Sequence, residues 1–235
     1  MKFIKTDSYE KMSHIGANII FAQLIAKEDS VLGLATGSSP VSIYKELIEL
    51  NRKGDIDFSL VKTINLDEYV GLDGNNKQSY RSFMNANLFD LVNIDKSNTF
   101  IPNGCAEDLE AECKAYDKII NDLGIDIQLL GIGLDGHIGF NEPDSYFVRE
   151  THVVDLDDST IKANARFFGS EEEVPRRAVT MGIGGIMSAK KILLIANGPA
   201  KEDIINKAFF GPITPEIPAS VLQLHHDVTV IFSEV

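Results

Sequence analysis

The sequence predicts an α/β fold built on a mostly parallel sheet with helices on both faces. Short apolar-rich runs at residues 31–35, 61–66, 127–132, 191–196 and 228–232 alternate with longer amphipathic stretches. Such runs suit strands covered on both sides, whose parallel pairing requires crossover connections of helix length. The 235 residues, 44% of them hydrophobic, fit one large domain better than two small ones. The residues able to do chemistry also lie just past the ends of these runs, where open α/β sheets gather ligands.

Taken in order, residues 8–27 predict a first helix, with Ile15, Ile19, Ala22 and Ile25 at helical spacing. Residues 31–35 form a buried strand that stops at Thr36-Gly37-Ser38-Ser39-Pro40, and a helix follows over 41–52. Pro40 suits its first turn, where a missing N–H costs nothing. After the strand at 61–66, a Gly/Asn-rich loop (71–77) leads into a helix at 79–89, and another helix covers 107–123. The polar span 144–179, with a helical piece at 159–165, reads as a mobile flap closing over a ligand and not as a separate domain.

Composition excludes several function classes. Net charge is −13, with 35 acids against 22 Lys plus Arg, which repels nucleic acid and anionic membrane. The N-terminus has no apolar signal-peptide core, and no apolar run is long enough to cross a bilayer. Cys105 and Cys113 show no C-x-x-C spacing and no histidine neighbours, so they read as reduced thiols of a cytosolic protein.

Three constellations could carry chemistry. The turn from Thr36 through Gly37, Ser38 and Ser39 stands between a strand and a helix N-terminus, so its amides and hydroxyls suit an anion. It equally suits a plain turn with serine caps, and it carries neither nucleotide fingerprint. Asp67 and Glu68 follow a strand, where burial raises a carboxylate toward a useful base; alternation lets at most one face a shared pocket. The richest stretch, 131–143, packs four glycines, His137, Asp135 and Glu142 into a tightly turning loop. Acid–base chemistry leads there, since a neighbouring carboxylate fixes a histidine tautomer and raises its basicity. A structural loop comes second, and a metal site third for want of another nitrogen or sulfur ligand. Arg166 and Lys201 are candidate cations for a phosphate, though either alone reads as a solvated surface charge. His14, His152 and the pair His225-His226 read as structural.

Three segments together resemble the glucosamine-6-phosphate deaminases: Leu32 to Pro40, the stretch Asn65-Leu66-Asp67-Glu68-Tyr69-Val70-Gly71-Leu72, and the block from Gly131 to Asn141-Glu142-Pro143. The resemblance continues through Ser79-Tyr80, Asn164 to Phe168 and Leu222 to His225, in order along essentially the whole chain. It implies a Rossmann-like, doubly wound fold and the reaction of glucosamine 6-phosphate with water to fructose 6-phosphate and ammonia. It implies that His137 opens the sugar ring, held by Asp135 and Glu142, and that Asp67 moves a proton between C2 and C1. The phosphate would fall to residues 36–39, Arg166 and Lys201, and no PLP or metal would be needed. Larger members of that family are hexamers with an effector site in the segment after Asn141-Glu142-Pro143. Here residues 145–154 hold few cations and the chain ends soon after residue 232. The expectation is therefore a monomer without allosteric activation. Two alternatives compete. A 6-phosphogluconolactonase shares the Gly-x-Gly-x-Asp-Gly-His block but continues it differently. A sugar-phosphate-sensing module would carry a basic helix-turn-helix, for which the N-terminus is too short.

Overall fold

In a computed structural model that describes residues 1–235, apart from the side chains of Ser159 and Ala163, ten strands and seven α-helices alternate along the chain. They are β1 (Lys2–Thr6), α1 (Tyr9–Ala26), β2 (Val31–Leu34), α2 (Val41–Lys53), β3 (Lys62–Asn65), β4 (Asp67–Tyr69), α3 (Tyr80–Met84), β5 (Thr99–Phe100) and α4 (Leu109–Leu123). Then come β6 (Ile127–Leu130), β7 (His152–Asp155), α5 (Asp158–Asn164), β8 (Arg177–Thr180), α6 (Ile183–Met187), β9 (Ile192–Asn197), α7 (Glu202–Phe210) and β10 (Val228–Ser233).

Seven strands form one sheet in the order β1-β10-β9-β6-β2-β3-β5, every pair parallel. From β2 the chain winds one way through β3 to β5, then returns to β6 on the other side and winds through β9 to β10. The order reverses between β2 and β6, so the crevice past their carboxyl ends is where this topology places a ligand. β2 and β6 are buried at every position. One face of the sheet packs Ile64, Leu130, Leu194 and Val230 against α4, α6 and α7; the other packs Leu32, Leu34, Leu129 and Ile195 against α1 and α2.

α1 starts and stops where expected, with Ser8 accepting from Lys11 N at its N-cap. Its buried face differs from the one expected. Met12, Gly16, Ala17, Ile20 and Leu24 point inward, while Ile25 is 59% exposed. Small residues here let α1 lie close to α2, and the isoleucine spacing alone does not reveal that.

A second sheet, β4-β8-β7, is antiparallel and was not expected. The chain leaves β3 through Leu66 directly into β4, so Asp67 stands at the junction of the two sheets. Leu66 holds that junction: its N–H donates to Leu34 O (3.2 Å) and its carbonyl accepts from Met181 N (2.7 Å). The span 144–179 has structure of its own. Its ends supply β7 and β8, and the part between them sets Leu156, Ile161, Phe168 and Val174 on Tyr69, Phe140 and Ala178 as a small third core. Among the described residues, no helix is long and apolar enough to cross a membrane.

Candidate active site

The site grows from the carboxyl ends of four strands of the parallel sheet, β2, β3, β6 and β9. After β6 the loop turns back on itself, with Gly133 N bonded to His137 O (2.9 Å). Gly133 is required by close approach: a Cβ there would fall 2.4 Å from the His137 ring and 2.6 Å from Asp135 Oδ1. Gly139 adopts φ +60°, and a Cβ built on it would sit 3.0 Å from Thr180 Oγ1 and 3.6 Å from Asp67 Oδ2. The glycine-rich loop therefore lies against Asp67, 72 positions earlier in the chain.

His137 Nδ1 is 2.9 Å from Asp135 Oδ1 and 3.5 Å from Glu142 Oε2. Neither contact has the alignment of a hydrogen bond, and Nδ1 and Glu142 Oε2 have no hydrogen-bond partner among the described residues. The attraction is that of ion pairs. Burial lowers the pKa of His137, but its two carboxylates raise it more, to about 9. Burial likewise pushes Asp135 up, and contacts with His137 more than reverse this, leaving it well below the usual carboxylate range. With Nδ1 turned to the carboxylates, Nε2 is the ring atom left to meet a ligand. Asp135 Oδ1 also accepts from His137 N at 3.1 Å, and Glu142 Oε1 accepts from Thr160 Oγ1 at 2.7 Å.

Asp67 has the opposite environment. Its carboxyl is buried, no cation among the described residues pairs with it, and burial with the neighbouring Glu68 charge pushes its pKa up to about 8; His137 pulls the other way. Glu68 faces away, as strand alternation requires, and accepts from the backbone N–H groups of Tyr69, Tyr80 and Arg81 at 2.9–3.0 Å. Burial raises its pKa and those three bonds oppose the rise. Of two adjacent carboxylates, one thus anchors α3 and the other is left for chemistry.

Positive potential gathers nearby. Lys201, just after β9, donates to Ile132 O at 2.6 Å. Burial lowers its pKa, Asp135 raises it and the Arg166 charge lowers it, so all three share one field. Arg166 lies on the turn Ala165–Phe167, its guanidinium carbon 4.7 Å from the centre of the Phe167 ring. The turn at 36–39 is pinned from behind. Tyr9 Oη reaches Ser38 O (3.1 Å) and Ser39 O (3.0 Å), and Tyr44 Oη donates to Ala35 O (2.5 Å). These clamps hold the turn by its carbonyls and so leave its amide groups available.

The structure thus gathers Asp67, Asp135, His137 and Glu142, sets Lys201 and Arg166 beside them, and puts residues 36–39 at the same end of the sheet. His225 bonds to Ala189 O (2.7 Å), His14 contacts Glu46 and His152 contacts Glu150 O, all structural contacts. Among the described residues, Asp135, His137 and Glu142 also lie close enough to share a cation. A cavity of about 260 Å³ meets this centre only at Asn141 and Glu142 and extends toward Tyr146, His152 and Asp155. Sequence reasoning missed Thr160 and Thr180. Thr180 Oγ1 accepts from Phe140 N (3.0 Å) and pairs with Asp67 across β4 and β8. Both act across long stretches of chain, and no local pattern marks them.

A model of the family described as glucosamine-6-phosphate isomerases/6-phosphogluconolactonase matches residues 7–231. A relative from Lachnoclostridium phytofermentans, a glucosamine-6-phosphate deaminase, is 62% identical over 232 residues, 98% of each chain. A glucosamine-6-phosphate deaminase from Clostridium perfringens is 55% identical over 235 residues, 100% of this chain and 97% of its own. A solved monomeric glucosamine-6-phosphate deaminase matches with a TM-score of 0.97 at 46% identity, covering 99% of this chain and 97% of that one. The 6-phosphogluconolactonase of Thermotoga maritima, at TM-score 0.79 and 17% identity over 100% and 99% of the two chains, shares the fold.

The ion pairs set the acidity of His137, so Asp135→Asn should bring its pKa down from about 9 toward 6.5, by roughly one unit or more. An NMR titration of the ring proton measures this directly. An unchanged value would show that Asp135 does not control the ring.

Proposed function

The chain belongs to the glucosamine-6-phosphate isomerase/6-phosphogluconolactonase family, and from that premise we propose that it converts glucosamine 6-phosphate and water into fructose 6-phosphate and ammonia. The observation that carries the choice within the family is the pair of separate acid–base centres, His137 and Asp67. Hydrolysis of a lactone needs one base to activate water. Moving a proton from C2 to C1 of an opened sugar needs a second group at the carbon chain. Relatives 62% and 55% identical over nearly their whole length bear the deaminase name, which agrees.

In this reading, the imidazolium of His137 gives a proton to the ring oxygen as the C1–O bond opens, and the anomeric hydroxyl returns its own proton to the imidazole, leaving the aldehyde. Asp67, as carboxylate, takes the C2 proton; the electrons form an enolamine as the imidazolium protonates the C1 oxygen. Return of a proton to C1 leaves a C2 iminium. Water adds there, and ammonia departs from the carbinolamine to leave the ketone. Asp135 and Glu142 keep the imidazole oriented and charged. Lys201, Arg166 and the amides and hydroxyls of Thr36, Gly37, Ser38 and Ser39 hold the phosphate, as fits a helix N-terminus with two nearby cations. The C1 carbonyl of the opened sugar takes up the electrons of the C2–H bond and the substrate's own nitrogen pushes them back to C1, so the reaction is proposed to need neither PLP nor metal. We place it in the cytosol, which suits the unpaired Cys105 and Cys113.

The assay is release of ammonia together with fructose 6-phosphate. Asp67→Asn keeps the shape and removes the base, and kcat should fall by about 10²–10⁴-fold. Full activity in that variant would remove Asp67 from the mechanism, and no ammonia from the wild type would refute the reaction itself.

Dialysis against a chelator should leave the rate unchanged. A loss restored by a divalent cation would mean that the trio of Asp135, His137 and Glu142 holds a metal after all.

The chain is further proposed to act as a monomer without allosteric activation, in keeping with the monomeric deaminase of similar structure. Residues 145–154 carry one Arg and one His as their only basic side chains, too few to build a phosphate-binding effector site. Sedimentation should give one protomer and substrate saturation should be hyperbolic. A sigmoidal curve that N-acetylglucosamine 6-phosphate straightens would contradict this.

A further inference from the structure

We propose that Thr160 is a positioning residue for the proton transfer at His137, acting through Glu142. The proposal deepens the deaminase reading and rests on it for the identity of the reaction. The geometry is specific. Thr160 Oγ1 donates to Glu142 Oε1 at 2.7 Å, while Glu142 Oε2 lies 3.5 Å from His137 Nδ1 without a hydrogen-bond partner. The two oxygens of a carboxylate share one plane, so fixing the first sets the direction of the second. Thr160 is buried, and the Glu142 side chain is 11% exposed, so water cannot readily take over the hydroxyl's part.

Charge balance gives a second reason. His137 as imidazolium neutralises one of its two carboxylates, and one negative charge is left over in a largely buried cluster. A buried charge is costly unless its lone pairs are met by donors. Asp135 has the backbone N–H of His137. The Thr160 hydroxyl does the same for Glu142.

The placement of Thr160 in the chain adds a consequence. It sits in α5, and the turn Ala165–Phe167 follows α5 at once, with Arg166 on it. One short helix therefore joins a phosphate cation to the hydroxyl that aims Glu142. Where this segment sits decides both contacts together. An Arg166 engaged with phosphate would keep Thr160 on Glu142, and so keep the imidazole charged when the ring opens. The charged groups around His137 are Asp135 and Glu142 from its own loop and Asp67 from β4; Lys201, after β9, acts on Asp135.

The test compares Thr160→Val, which keeps the shape and removes the hydroxyl, with Thr160→Ser, which keeps the hydroxyl. Thermal unfolding of both checks that the fold survives. In Thr160→Val, the His137 pKa read by NMR should fall, and kcat for ammonia release should drop about tenfold or more with KM nearly unchanged. Thr160→Ser should restore both. A Thr160→Val enzyme with wild-type pKa and kcat would overturn the proposal. So would equal losses in the two variants, which would mark a packing role. The titration needs no substrate, so it decides whether Thr160 aims Glu142 even if glucosamine 6-phosphate is not the substrate.

Discussion

Taking Asp67 out of water without giving it a cation is the constraint around which this site is organised. A lone buried carboxylate strongly favours its protonated form, and its pKa rises from 3.8 to about 8. The fold imposes that burial. Asp67 is the residue at which the chain passes from the parallel sheet into the antiparallel one, and the β4–β8 ladder holds it there. Its neighbour Glu68 is equally buried yet spends its lone pairs on three backbone N–H groups. Partners, more than burial, separate a structural carboxylate from one free to act as a base.

His137 is pushed in the opposite sense. Two carboxylates outweigh its burial and hold it as an imidazolium. One fold thus keeps an unusually basic carboxylate and an unusually weak imidazolium acid near each other, and in the proposed reaction this divides base and acid roles on the alkaline side of neutrality. The same site also has to draw a phosphate into a chain of net charge −13. Lys201, Arg166 and the amides of residues 36–39 are proposed to provide the local positive field, which low-dielectric surroundings would strengthen.

Much of this was legible in the sequence, for physical reasons. Central parallel strands are buried on both faces, so β2, β6, β9 and β10 announce themselves as apolar runs. Four glycines around one histidine indicate a loop with close backbone approaches, and the bulk of His137 over Gly133 accounts for one of them. The illegible parts depend on contacts distant in sequence. β4 is three residues long and exists because β8 pairs with it from more than 100 positions away. β1 has charged residues at two of its five positions, so no apolar run marks it, and β10 takes it as an edge strand. The inward face of α1 is not readable from isoleucine spacing, because close packing sets small Gly16 against Ile43 of α2. Thr160 carries no local sign, since its importance comes from what it meets.

The central claim is that Asp67 works as a carboxylate and His137 as an imidazolium, with their pKa values pushed up to about 8 and about 9. The most direct measurement is kcat/KM for ammonia release against pH, corrected for the ionisation of free substrate. Asp67 must lose its proton to act, so the rate should rise as pH passes through about 8; His137 must keep its proton, so the rate should fall above about 9. Because the two groups interact, the limbs belong to the pair. The account predicts a narrow bell on the alkaline side of neutrality. A profile already at its plateau at pH 6, with its acid limb in the ordinary carboxylate range near 4, would contradict it.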